Sequence, residues 1–407
     1  MLQLKLSYGT EKISCLMSRH YVGEIFIIDR TVPEIVFDGV RNNSANNGVV
    51  APILRYTDLH LDEAGTQVTL TGTNNGTVKG NVQKSKIENG IQMIYADFEH
   101  IQEMDDYYTL KVKAVDLAGN ETEEELHFSV NRFGSTYRIS ADTQKLIDTY
   151  YTGKAPVVTV TEINIDELEY GEVTVSMDGQ TITLVPGSDY SVTKEGTDED
   201  WKSYTYSIGA GNFSKDGVYS VGFYSKDRAA NASDNRIKGK EIEFALDTTA
   251  PSIVAEGIES DKTYNESSKE ITVDVKDNMY LTELHVTDNG KTILEMSEKE
   301  LKDTQGVVTF TLEEADELRD ITITAKDIVG NEQRLEYNNI AITTKVEVIK
   351  DIETARVAKP DAQPAVSPVI VTADEDNRLL YVVISAMSAA VLMTAVGVYF
   401  RKKRKKN

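Results

Sequence analysis

YTLKVKAVDLAGN, residues 108–120, decides the fold. Tyr108, Leu110, Val112 and Ala114 fall on one side of an extended chain, and Thr109, Lys111 and Lys113 on the other. A period of two marks a strand with one buried face. Asp116 then suits the first position of a type I turn, where its carboxylate accepts backbone N–H bonds. Gly119 suits the close of that turn, where positive φ is cheap only without a Cβ, and Asn120 tolerates the same region.

Two further stretches align with this one without gaps: YSVGFYSKDRAAN at 219–231 and RDITITAKDIVGN at 319–331. Tyr219, Val221, Phe223 and Ser225 share a face, as do Ile321, Ile323 and Ala325 after Arg319. Asp327, Gly330 and Asn331 repeat the turn. In the middle copy Asp227 and Asn231 remain, but Ala230 stands at the glycine position. A recurrence of about a hundred residues is too long for a solenoid and right for small domains in series. One Asp per turn falls short of the several close oxygens that calcium needs, so these acids read as hairpin turns.

A second pair of segments sets the boundaries. EIFIIDRTVPEI at 24–35 matches IEFALDTTAPSI at 242–253 at Phe26/Phe244, Asp29/Asp247, Thr31/Thr249, Pro33/Pro251 and Ile35/Ile253. Pro33, Pro156 and Pro251 each precede an alternating apolar run, where proline is tolerated. Residues 1–28 then read as the remnant of a preceding repeat, ending in its last strand. Three domains follow at 29–132, 133–247 and 248–345. Hairpin turns are expected at Asn75–Gly76, Asp178–Gly179 and Asp288-Asn289-Gly290. Short helices are expected near 141–150 and 297–302, as connectors. The predicted fold is all-β, with tandem β-sandwich domains, a linker and one C-terminal transmembrane α-helix.

The A-x-D-x-x-G-N ending, the preceding tyrosine strand and the T-x-P opening resemble the bacterial Ig-like repeats of Gram-positive cell-surface proteins. NFSKDGVYSVGFYSKDRAAN at 212–231 fits that pattern well and residues 96–120 more loosely, while the third copy carries Arg319 in place of the tyrosine. The resemblance covers residues 29–345. It implies Ig-like sandwiches in stalks and adhesins, without a catalytic residue. Partners consistent with it are host or cell-wall glycans or proteins.

The chain end indicates where such an array would sit. Residues 379–400, LLYVVISAMSAAVLMTAVGVYF, carry no charge, and as a helix they would reach about 33 Å, enough for a hydrocarbon core of about 30 Å. Arg401, Lys402, Lys403, Arg404, Lys405 and Lys406 follow, which marks a cytoplasmic tail at 401–407. Residues 346–378, with Pro360, Pro364 and Pro368, read as a linker. The reading is therefore a single-pass cell-membrane protein with its domains extracellular. The first twenty residues lack a signal-peptide pattern. The chain is therefore expected to be the C-terminal part of a longer protein.

Composition narrows the partners. The net charge is −23 despite six cations in the tail, which excludes nucleic acid as a partner. Cys15 is the only cysteine, so no disulfide closes within the chain. The five histidines have no metal-site spacing, and no G-x-S-x-G, P-loop or dinucleotide fingerprint occurs. No enzyme activity or cofactor is expected. Calcium is the small ligand that the charge would favour, weakly, with Asp105, Asp106, Asp198 and Asp200 as candidates. The single Trp201, after TDED at 197–200, offers either a core ring or an exposed platform for a sugar. The alternative function is an ancillary, non-catalytic region of a large surface hydrolase.

Overall fold

The computed structural model describes residues 2–8, 11–17 and 28–345. Leu2–Tyr8 and Glu11–Met17 pair as an antiparallel hairpin, with Leu2 opposite Met17. The expected last strand of a preceding repeat near 24–28, the linker at 346–378, the apolar stretch at 379–400 and the basic tail lie outside the described residues, residue 28 apart. Among the described residues no helix is long and apolar enough to cross a membrane.

Period-two alternation builds three separate apolar cores, each between two mainly antiparallel sheets. In the first sandwich, Glu34–Asp38, Ile53–Thr57, Gly90–Tyr95 and Val82–Ile87 form one sheet. Glu121–Val130, Asp106–Val115, Gln67–Gly72 and Gly76–Thr77 form the other. Leu54, Tyr56 and Ile91 from one side meet Tyr108, Leu110, Val112 and Phe128 from the other, all fully or almost fully buried. Burial of these rings pushes the Tyr95 and Tyr108 phenols up to about 12. The second core contains Val173, Val221, Phe223 and Phe244, and the third Ile271, Val273, Ile321 and Ile323.

The last strand of each sandwich is joined to an early segment by parallel bonds. In the first, Ser129 N donates to Ser44 O and Asn131 N to Asn46 O (2.9 and 2.8 Å). In the second, Ala245 N donates to Tyr150 O and Asp247 N to Thr152 O (2.8 and 3.0 Å). In the third, Ala341 N donates to Lys262 O and Thr343 N to Tyr264 O (2.9 and 3.1 Å). Asn131, Asp247 and Thr343 are thus equivalent positions, each the last residue tied into its sandwich.

The two short helices are not connectors. Ala141–Thr149 is capped by Ser140, whose hydroxyl accepts from Thr143 N, and Leu146 enters the second core. Glu298–Asp303 starts with a Ser297/Glu300 capping box, and Leu301 enters the third. The first also packs Ile147 against its core, whereas the second relies on Leu301 alone among its buried residues.

The hairpins at Asp178–Gly179 and Asn289–Gly290 put both central residues at positive φ (48° and 83°, 48° and 80°), as a twisted two-residue turn requires. Tyr108 Oη donates to Met104 O (2.9 Å) and Tyr219 Oη to Lys215 O (2.7 Å), four residues upstream in both cases. In the third copy Arg319 pairs with Asp288 instead.

The repeated turn is the same in all three copies. Asp116 Oδ1 accepts the N–H groups of Ala118 and Asn120, each at 2.8 Å. Gly119 and Gly330 sit at φ +87° and Ala230 at +65°. An added Cβ at Gly119 would meet nothing within 4 Å, so its cost there is backbone strain alone. Gly119→Val is expected to destabilise by about 1–2 kcal/mol and Ala230→Gly to stabilise by about 0.5–1 kcal/mol. Thermal melting of the full chain tests both, and no shift at either site would refute the strain account.

Candidate functional site

The turn asparagines reach beyond their own sandwiches. Asn120 Nδ2 donates to Asp29 O (3.3 Å), Asn231 Nδ2 to Asn131 O (2.8 Å) and Asn331 Nδ2 to Asp247 O (3.1 Å). The same amide also donates to the turn aspartate's Oδ2, at 2.6, 3.0 and 2.7 Å. Each turn therefore pins the residue that enters its sandwich, and the candidate site is the joint.

A third position completes each joint. It lies where an early strand ends, and its Oδ1 accepts the N–H two residues on. Asp58 takes His60 N, Asn164 takes Asp166 N and Asp277 takes Met279 N, at 2.7–2.8 Å. Every joint thus has an entry residue, a strand-end residue and a turn aspartate. These are Asp29, Asp58 and Asp116, then Asn131, Asn164 and Asp227, then Asp247, Asp277 and Asp327.

The three joints are wired differently. At the first, His60 Nδ1 lies 2.8 Å from Asp29 Oδ2, and an Asp58 oxygen lies within 4.8 Å of a ligating atom of each. The Thr31 N–H, then His60, hold the Asp29 carboxyl below its usual range. At the second, two of the three residues are amides. Asn131, Asn164 and Asn231 all donate to Asp227 Oδ2 (3.0, 3.1 and 3.0 Å). Asn131 also donates to Asp166 Oδ2, which Ser129 reaches as well (3.0 and 2.8 Å). Burial pushes the Asp166 carboxyl up. The network is buried and its charge is met by hydrogen-bond donors.

At the third joint, as at the first, all three positions are carboxylates. One oxygen of each lies within 4.8 Å of the others. Asp247 is 0% and Asp327 2% exposed. Asp247 Oδ1 accepts Thr249 N and Asn278 Nδ2, and Asp277 Oδ1 accepts Met279 N and Tyr280 N. Asp247 Oδ2 and Asp277 Oδ2 are buried and have no hydrogen-bond partner. Burial, with the charges of Asp277 and Asp327 adding to it, pushes the Asp247 carboxyl up. Two ionised carboxylates at this spacing repel by about 3 kcal/mol at an effective dielectric near 20.

Of the acids singled out for calcium by sequence, Asp105 and Asp106 bond neighbouring N–H groups, although Asp105 Oδ1 is buried without a partner. Asp105 Oδ2 accepts the N–H groups of Arg132 and Phe133 (2.8 Å each). Asp106 Oδ2 accepts those of Asn74 and Asn75, and its Oδ1 accepts the Trp201 indole at 2.7 Å. Trp201 is thus a half-buried strut between the first two sandwiches, neither core ring nor open sugar platform. Asp198 and Asp200 are exposed in its loop and join no group of three ligating side chains among the described residues. Asp247 and Asp277 went unseen as ligands because their partners come from separate parts of the chain. The repeated Asp29 and Asp247 before T-x-P was the one signal available.

No protein-family model and no curated protein matches this chain. Several solved structures resemble it at low identity. The tetra-tandem repeat in the extending region of a large adhesion protein covers 77% of this chain and 74% of its own, at 16% identity and TM-score 0.32. A tandem Ig pair from titin covers 53% and 95%, at 13% and 0.28. Fibronectin(III)-like modules of Clostridium thermocellum CbhA cover 51% and 94%, at 11% and 0.23. No functional property passes from them to this chain.

Proposed function

We propose that the chain is the membrane-proximal part of a bacterial cell-surface protein, with its sandwiches acting as a stalk or adhesion module. The joints carry this reading. The two junctions between the described sandwiches use buried polar side chains to fix one sandwich to the next, an arrangement that suits a spacer and that independent beads on flexible linkers would not need. The apolar span at 379–400 with its six cations supplies the anchor, and residues 346–378 the reach away from the bilayer. Binding to a glycan or protein ligand would fall on loops and exposed strand edges, because side chains fill the sandwich interiors.

Membrane partition tests the anchor. The full chain is expected to sediment with membranes and a chain ending at Asn377 to remain in the supernatant. With an export signal supplied, protease added to intact cells should digest the sandwiches and spare the tail. Protection of the sandwiches would overturn the orientation, and equal partition of the two chains would overturn the anchor.

A further inference from the structure

We propose a divalent-cation site, best suited to calcium, at the joint between the second and third sandwiches, held by Asp247, Asp277 and Asp327. The cluster of acids does not carry this alone. Asp247 is fully buried, yet its Oδ2 has no hydrogen-bond partner, and neither has the buried Asp277 Oδ2. A buried carboxylate oxygen without a donor is costly and calls for a counter-charge. One oxygen from each of the three residues lies within 4.8 Å of the other two. Oxygens about 2.3–2.6 Å from one calcium ion can lie up to about 5 Å apart, so a single ion can bridge all three. An all-oxygen donor set selects a hard cation, and ligands from three chain segments suit the adaptable shell of calcium better than the strict octahedron of magnesium.

The neighbouring joint is an internal control. Its equivalent residues are Asn131, Asn164 and Asp227, and there two amides donate to the carboxylate where the other joint aims carboxylates at one another. One chain thus carries both solutions to the same geometry: a joint closed by amide hydrogens and a joint that takes a cation. The joint to the first sandwich is closed by amide hydrogens, and calcium would brace the joint to the third beyond the bonds that Asn331 makes to Asp247 O and Thr249 O. The site stands whether or not the chain serves as a stalk.

The full 407-residue chain in detergent, freed of metal with chelator, is titrated with calcium by calorimetry and with terbium by tyrosine-sensitised luminescence. Tyr280 is a near donor, because its N–H is bonded to Asp277 Oδ1 at 2.9 Å. One saturable ion per chain is expected, with calcium displacing terbium and magnesium doing so only at much higher concentration. The D247N/D277N variant copies the amide pattern of the other joint and should melt no lower than the calcium-free wild type, while losing at least about a hundredfold in affinity. D277N alone, at a half-buried position, should lose at least about tenfold. Absence of saturable binding by the wild type, or unchanged affinity in D277N, would overturn the proposal.

Discussion

Replacing Asp227 by alanine is expected to cost the second sandwich about 4 kcal/mol, one of the two largest single-residue effects anticipated in this chain. Three side-chain amides donate to Asp227 Oδ2, and the Asn231 N–H donates to Oδ1 at 2.9 Å. Asp227 is 2% exposed and Asn131 fully buried, so water does not replace the lost acceptor. Each buried donor left unpaired costs about 1–3 kcal/mol, and the donors will recover part of this by relaxing. Asp227→Asn keeps the volume but sets an NH2 group against a ring of NH2 groups, and it should cost at least about 2 kcal/mol. Denaturant unfolding followed by the fluorescence of Trp201, the only tryptophan, reads both. Transitions within about 0.5 kcal/mol of wild type for both variants would mean that the network does not hold the joint.

The other large effect is expected inside the second core. Glu162 occupies an inward-facing position of the strand Val158–Asn164 and is 1% exposed. It accepts from Tyr137 Oη at 3.3 Å, Tyr206 Oη at 3.1 Å and Ser225 Oγ. Burial first, and then the Glu162 charge, raise both tyrosine phenols far above their ordinary range. Glu162→Ala removes the shared acceptor and opens a cavity, for a loss of about 4 kcal/mol. Removing the donors as well should restore much of it, because an all-apolar replacement leaves nothing unpaired. Glu162→Leu combined with Tyr137→Phe, Tyr206→Phe and Ser225→Ala is therefore expected to melt well above Glu162→Ala. If the combined variant is the less stable of the two, the cost lies in packing and the polar account fails.

These two sites mark where the sequence was legible. Alternation in YTLKVKAV and its two copies predicts the strands, and the Asp-Gly and Asn-Gly turns predict the hairpins, because both signals lie within a few adjacent residues. Ser225, the polar exception in the run Tyr219, Val221, Phe223, hinted at Glu162, but the two meet only when opposing sheets pack. The same holds for the joints. A turn of Asp, Gly and Asn reads as a turn because its bonds are local. That Asn331 also clasps the backbone of Asp247, and that Asp277 arrives from a third segment, depends on where one sandwich places the start of the next. Asp105 and Asp106 were candidates on the chain's net charge alone, and they turn to different partners: one to the Arg132–Phe133 backbone, the other to the Asn74–Asn75 backbone and Trp201.

The parallel bonds between early segment and last strand have a mechanical consequence. Tension on the chain pulls the early segment backward through its N-terminal end and the last strand forward through its C-terminal end. Because the two run in the same direction, they must slide past one another, and Ala245–Tyr150 and Asp247–Thr152 share the load instead of opening in sequence. A ladder loaded in shear ruptures at higher force than one unzipped from an end. The bond from Asp247 N is also adjacent to the three-carboxylate joint, so an ion held there would brace the clamp at the point where the pull enters it.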